Sequence, residues 1–472
     1  MESRREDEPE TKIQEHEVRA EKAECIIMIY EGRKNMPEGK RGAVAALLAG
    51  IMILGASGCS RSMINYQIAE SIGTVGEYEN NEPVETPKMQ AERELAEQEE
   101  ALEQERTEIL EQADLLAAGY WYEEAIALLE GTDSLAEDER AAEAVEEYQS
   151  AINSLEEYEG EVVHLNFPNL IADTSLAFDG DSYAQTYSQN LITISEFEGI
   201  LSQLYENNYI LVDIHDLAEE TDDGFGDITL TEAALTLPEG KKPLVISVEN
   251  LNYASVRVGD GVATKLVIDA EGEVAAVYTD ADGVTQTGAY DVIPVLEDFL
   301  EENPGFSYRG ARGIIGLSGK NGAFGYEIEE DSATDWESNA DTVTQIAGKL
   351  REYGWTFASE GYSYSYMADM TYDELTEDIE QWESTIGSLI GDCDTLIFPY
   401  GSEVDYTSEK SVYLTGAGYR YLIGLWASEN YLAVNQTYLR QTRRAVTGYI
   451  LENYSEYFSS VFNVSEIIDA VR

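Results

Sequence analysis

Histidine and cysteine are nearly missing from this sequence, with three of each in 472 residues. Basic side chains are also scarce: 29 Lys and Arg stand against 93 Asp and Glu, for a net charge of −64. That imbalance excludes nucleic acid as a partner, because gripping the phosphate backbone needs a basic stripe. It equally disfavours electrostatic docking on anionic lipid. The cysteines (Cys25, Cys59 and Cys393) are too few and too far apart for a disulfide framework. Proline is limited to 10 residues, so long helices and strands can run unbroken. Apolar residues still make up 43% of the chain, which rules out a disordered acidic polymer and leaves material for a sizeable core.

The one long apolar run is residues 43–58, uncharged and preceded by Lys40 and Arg41. At 16 residues it is short of the roughly 20 that a spanning helix needs, and it matches the apolar part of a signal peptide. It ends in Ala56-Ser57-Gly58-Cys59. Small residues before a single cysteine resemble the lipobox of bacterial lipoproteins. Residues 1–58 are then a charged prefix and signal peptide, and Cys59 is the lipidated N-terminus of a protein held on the extracellular face of the cytoplasmic membrane. The alternative is a short membrane helix with an incidental cysteine. After cleavage Cys393 would remain as the only free thiol, with no intrachain disulfide.

Residues 59–88 are polar and read as a tether. Residues 89–157 contain no proline and are rich in Ala, Glu, Leu and Gln, a helical composition. Leu95, Leu102, Ile109 and Leu116 recur every seven residues, a single stripe rather than a coiled-coil seam. The stretch from Ala113 to Ile126, with Gly119 at its turn, resembles half of a tetratricopeptide repeat, so this segment is expected to be a helical hairpin acting as a spacer.

Residues 158–472 alternate strand-like and helical segments. Strands are expected at Glu161–Phe167, Tyr209–Asp213, Pro243–Val248, Arg312–Leu317, Trp355–Ser359, Thr395–Pro399 and Tyr419–Leu425. Helices are expected at Ile194–Asn207, Val292–Glu302, Asp341–Tyr353, Tyr372–Ile390 and Ser408–Gly416. Such spacing predicts an α/β fold of parallel strands with crossover helices, closed as a (β/α) barrel. Residues 264–291 interrupt it with apolar–polar alternation around Glu271-Gly272 and Asp282-Gly283, the pattern of an inserted β-ribbon.

The order of these segments resembles the polysaccharide deacetylase family (the NodB-homology domain), whose fold is a distorted (β/α) barrel. Val162 to Phe167 is similar to the family's opening strand. The strand Lys242 to Val248, ending in Glu249-Asn250, is similar to the one carrying the family's paired aspartates. Gly354 to Glu360 resembles the strand leading to its metal histidines. Phe398-Pro399-Tyr400-Gly401 resembles the end of its Arg-x-Pro-x-Gly groove motif, with Ile397 in place of the arginine. Leu439 to Arg444 resembles the closing segment of related bacterial chains.

The resemblance implies removal of N-acetyl groups from cell-wall glycans by a metal held on one Asp and two His, with a second Asp as general base. It puts Glu249 at the base position, Asn250 at the metal-aspartate position, and Glu360 and Tyr364 at the two histidine positions. Trp355, Pro399, Tyr400 and Gly401 would line the groove, and Tyr362, Tyr364 and Tyr366 could offer faces for sugar stacking. His164 and His215 lie away from the motif, and His16 precedes the signal.

Three readings follow from these substitutions. In the first, a degenerate lipoprotein member keeps the barrel and groove and binds N-acetylated glycan, with no cofactor. In the second, it is an active carbohydrate N-deacetylase whose altered site holds a divalent metal through oxygen. In the third, it is a non-enzymatic envelope scaffold. The partners expected are an N-acetylated, peptidoglycan-like glycan and the membrane, reached through the lipid.

Overall fold

The computed structural model describes residues 86–472, apart from 223, 225–227, 254–255, 330–332 and 427–429. The signal segment, His16, Cys59 and the tether up to residue 85 lie outside the described residues. Among the described residues no helix is long and apolar enough to cross a membrane.

The distorted (β/α) barrel expected above is the observed architecture. Seven parallel strands close on themselves in chain order: β1 (Val163–Phe167), β2 (Lys242–Val248), β3 (Ile314–Leu317), β4 (Thr356–Ser359), β5 (Thr395–Ile397), β6 (Tyr421–Leu425) and β7 (Leu439–Ala445). The ring closes where β7 pairs with β1 (Arg444 beside Leu165) and β2 with β3 (Ser247 beside Ile314).

Six of the seven expected strands are in this ring. Tyr209–Leu211 is not: it pairs with the first half of β2, where β3 has not yet joined it, and makes one further bridge from Leu211 to Ser307. The seventh barrel strand is Leu439–Ala445, whose Arg, Gln and Thr hide the apolar run that a buried parallel strand usually shows.

The two-residue period of each strand sorts its side chains. Leu244, Ile246 and Val248 of β2 face the surrounding helices, together with Leu165 and Phe167 of β1. Val245, Ile314, Ala358, Ile397, Ile423 and Leu439 form the inward set. Burying each such aliphatic side chain is worth about 1.5–3 kcal/mol.

The crossover helices begin at strong caps. The helix Ile194–Glu206 starts with a Thr193–Glu196 capping box, Tyr372–Trp382 with a Thr371–Glu374 box, and Val292–Glu302 at Asp291. Trp336–Tyr353 lies between β3 and β4 in the chain. The ribbon is a three-stranded antiparallel meander, Lys265–Ile268, Val274–Thr279 and Thr285–Gly288, with its two turns at Glu271-Gly272 and Asp282-Gly283.

The N-terminal arm has three helices rather than two: α1 (Pro87–Ala118), α2 (Tyr122–Glu130) and α3 (Glu139–Asn153). α1 starts one residue before the tether's expected end, with Thr86 as its cap and Pro87 in the first turn. The arm is docked on the barrel rather than standing free of it. Tyr120 is buried among the inward apolar set, and its hydroxyl donates to Gly305 O at 2.8 Å. The segment Leu155–Glu157 then pairs antiparallel with Thr236–Pro238.

Candidate functional site

At the C-terminal ends of the barrel strands, polar side chains replace the apolar inward set. The first polar layer lies inside the barrel. His164 of β1 is fully buried, with Nε2 3.0 Å from Ser247 Oγ and Nδ1 3.0 Å from Gln441 Oε1. Ser247 Oγ donates onward to Asn166 Oδ1. Burial, and then the nearby Arg443 charge, push the His164 pKa down to about 3, so the imidazole is neutral at any physiological pH.

Above it, one strand period further along, stand Arg443 of β7, Glu249 after β2 and Glu360 after β4. Arg443 is almost wholly buried. Its Nε donates to Glu249 Oε1 at 2.5 Å, and its Nη1 donates to Gly424 O at 2.9 Å. Glu249 is 5% exposed and Glu360 1%. The Glu360 carboxyl hydrogen-bonds Glu249, while its Oε1 has no partner. Burial in the first place, and the Glu249 charge in the second, hold Glu360 well above the usual carboxylate range, and Arg443 only partly opposes this. Glu360 is therefore biased toward its neutral form beside the Arg443–Glu249 ion pair. Room for Glu360 comes from Gly316 of β3: a Cβ there would lie 3.0 Å from the Glu360 carboxyl.

The loop after β4 bends back over this pair. Gly361 takes φ +69°, and the Asp378 carboxylate sits where a side chain at 361 would go. Asp378 accepts from the backbone N–H groups of Tyr362 and Ser363, both at 2.9 Å, which fixes the loop onto Tyr372–Trp382. Tyr364 then points over the carboxyls. Its hydroxyl pKa is raised by burial first and then by Glu360 and Glu249, so the phenol stays protonated.

Asn250, Asn321, Tyr364 and Tyr400 all line one groove of about 780 Å³, together with Glu249 and Arg443. All four of those first-named residues have positive φ, at 65°, 68°, 51° and 56°. Asparagine tolerates that conformation, but at the two tyrosines it costs of order 1–3 kcal/mol each. The backbone is thus held in unusual shapes where it faces the groove.

The sequence-expected residues Glu249, Asn250, Glu360, Tyr364 and Tyr400 come together at this mouth. Pro399 is buried beneath Tyr400, and Gly401 follows it in the same tight turn at φ +69°. Trp355 is not in the groove. It precedes β4 at the opposite end of the barrel, is buried there, and donates its indole N–H to Glu297 Oε1 at 2.8 Å. One strand length of about 3.3 Å per residue separates its position from the C-terminal mouth.

Sequence reasoning missed Arg443. Arg443 reaches the groove from β7, and the only signal was the run of arginines in the closing segment. His215 is also far from the mouth. It bridges Asp213 (2.6 Å) and Asp394 (3.1 Å) beside a second cleft at the N-terminal end of the barrel. Burial alone would lower its pKa, but the two carboxylates outweigh that and hold it well above the usual histidine range. Cys393 lines the same cleft, and burial pushes its thiol up to about 12, so it stays an unreactive thiol.

The donor set does not fit a zinc ion. Among the described residues no three His, Cys, Asp or Glu side chains gather to hold a metal. At the position the resemblance assigns to one, Glu249 is engaged by Arg443, Glu360 is a neutral acid, Tyr364 is a protonated phenol and Asn250 offers a neutral amide. Zinc needs deprotonated ligands and repels a neighbouring guanidinium.

No family model matches the chain, and no curated protein matches it. Its structure is similar to that of the Streptococcus pyogenes deacetylase PplD in complex with acetate, at 10% identity and a TM-score of 0.37 over 64% of this chain and 98% of that one. It is also similar to IcaB from Ammonifex degensii, at 10% identity and a TM-score of 0.28 over 56% of this chain and 83% of that one.

Proposed function

We propose that the barrel binds an N-acetylated cell-wall glycan in the groove at its C-terminal mouth, without metal-dependent deacetylation. The chain would present this groove on the extracellular face of the cytoplasmic membrane, anchored through Cys59. The observation that carries the reading is the Arg443–Glu249 contact at 2.5 Å, with Glu360 hydrogen-bonded to the same carboxylate. A guanidinium fills the electrostatic role of a bound cation, and the carboxylate that would act as a base is neutralised by it.

What remains is suited to binding. The groove is open, about 780 Å³ in volume, and rimmed by tyrosines whose rings can lie against the C–H faces of a sugar. Neutral amides at Asn166 and Asn250 line the groove, and amide groups can hydrogen-bond hydroxyl and acetamido groups. The test is calorimetric titration of N-acetylchitotetraose into the protein in a chelating buffer. Saturable binding is expected, and it should be unchanged by added zinc. No heat of binding at millimolar sugar would refute a glycan function.

A further inference from the structure

The cleft at the N-terminal end of the barrel has a volume of about 790 Å³, and the groove chemistry makes no use of it. Its charged lining is His215, Arg351, Arg420, Glu383, Asp392 and Asp394. Basic groups are scarce in this chain, yet two arginines meet here with a histidine whose burial is outweighed by Asp213 and Asp394, which hold it well above the usual range. Three cations against three carboxylates leave the lining close to neutral, in a protein whose net charge is −64.

Most of these charges already have partners. His215 lies between Asp213 and Asp394, and Arg420 bridges Asp394 (3.2 Å) and Glu220 (2.9 Å). Glu383 accepts from the Tyr419 hydroxyl. Arg351 and Asp392 are the exceptions. Arg351, in the last turn of Trp336–Tyr353, donates from Nε to Ile390 O at 2.9 Å and from Nη2 to Asp392 O at 2.6 Å. Its guanidinium also lies 4.9 Å from the centre of the Phe357 ring. Those contacts fix it in place, but they are all to neutral groups, and among the described residues it forms no ion pair. The Asp392 carboxylate is exposed and accepts no hydrogen bond among the described residues. A fixed cation and a neighbouring free carboxylate thus stand unpaired on one wall of an open cleft. A guanidinium bonded only to carbonyls keeps its capacity for a charge-assisted bond to a carboxylate.

We propose that this cleft binds a small zwitterion, an α-amino acid or a dipeptide, with its carboxylate on Arg351 and its ammonium on Asp392. A simple anion would gain Arg351 but face Asp392 and Asp394. A simple cation would gain Asp392 but face Arg351 and Arg420. A molecule carrying both charges satisfies both residues and adds no net charge to a balanced lining. The arginine is already held by the backbone, so little side-chain ordering opposes binding. This site is independent of the glycan reading.

The test is a ligand-observed NMR titration of the full chain with L-alanine, L-alanyl-L-alanine, acetate and ethylammonium, repeated on Arg351→Gln and Asp392→Asn. Alanine or its dipeptide should bind saturably, and acetate and ethylammonium at least about tenfold more weakly. Each substitution should weaken the zwitterion about tenfold. Asp392→Asn changes an exposed side chain, so it reads the site even if Arg351→Gln disturbs the loop that Arg351 braces. No saturable binding of either zwitterion at about 10 mM would overturn the proposal, since weaker association is not specific recognition. Acetate binding as tightly as alanine would reduce the cleft to a plain anion site and overturn it as well. So would zwitterion binding that Asp392→Asn leaves intact.

Discussion

Arg443 and Glu249 form a buried ion pair across the mouth of the barrel, with Nε 2.5 Å from Oε1 and both side chains almost wholly withdrawn from solvent. The pair joins β7 to the end of β2 and brings Glu360 of the next-but-one strand into the same network. Removing the cation would leave two carboxyls facing each other without a counter-charge. Arg443→Met should therefore destabilise the fold by about 3–5 kcal/mol in denaturant unfolding. Arg443→Lys should fall between that variant and the wild type, since it keeps the charge but loses the fork of donors to Glu249 and Gly424. A loss below about 1 kcal/mol for Arg443→Met would show that the carboxyls do not depend on it.

Glu360 makes stability depend on pH in a stated direction. Its folded pKa is raised, chiefly by burial and next by Glu249. A carboxyl whose folded pKa exceeds its unfolded value binds its proton more tightly in the native state. Its contribution is complete below the unfolded pKa of about 4.3 and is lost as pH rises toward the folded value. Replacing it with the neutral isostere in Glu360→Gln should remove that slope. The variant should gain on the wild type as pH rises from about 4 to 8, while the two match most closely in acid. Unfolding curves that stay parallel across this range would mean that Glu360 is not held protonated.

The helical arm contributes to the barrel rather than merely carrying it. Tyr120 sits among the inward apolar residues with Ile210 and Tyr308, and its hydroxyl reaches Gly305 O. Tyr120→Ala should cost about 3 kcal/mol, in the range of large aromatic truncations in a core. Thermal unfolding monitored by circular dichroism would measure it. An unchanged transition would show that the arm docks without stabilising the barrel.

Membrane attachment is tested upstream of the barrel. On the proposed lipid anchor at Cys59, Cys59→Ser should shift the protein from the membrane fraction to the soluble fraction or stall its processing. Normal maturation with full membrane retention would contradict the lipoprotein reading.

Much of the barrel is legible in the sequence because its strands are apolar runs between amphipathic helices. Pro243–Val248 and Tyr419–Leu425 stand out for that reason. Leu439–Ala445 does not, since Gln441, Thr442 and Arg443 are buried through polar contacts that only the closed barrel supplies. Tyr209–Leu211 has the apolar look of a barrel strand, yet it is excluded from the ring by where β3 begins its pairing with β2.

The same limit applies at the site. Glu249 and Glu360 are recognisable at the C-terminal ends of their strands, whereas Arg443 arrives from a segment about 190 residues after Glu249, marked only by the run of arginines around it. Trp355 carries an aromatic signal like that of Tyr400, but its place at the start of β4 puts it at the other end of the barrel.

The most direct test of the proposed metal-independent groove is a zinc titration of the unmodified protein by calorimetry. Glu249 engaged by Arg443, a protonated Glu360 and a protonated Tyr364 leave no set of charged ligands for the ion. No stoichiometric heat is expected at micromolar zinc, and an acetylated chito-oligosaccharide incubated with the zinc-treated protein should release no acetate. Submicromolar zinc binding at one ion per chain, lost in Glu360→Gln and accompanied by acetate release, would contradict the account and identify an active deacetylase.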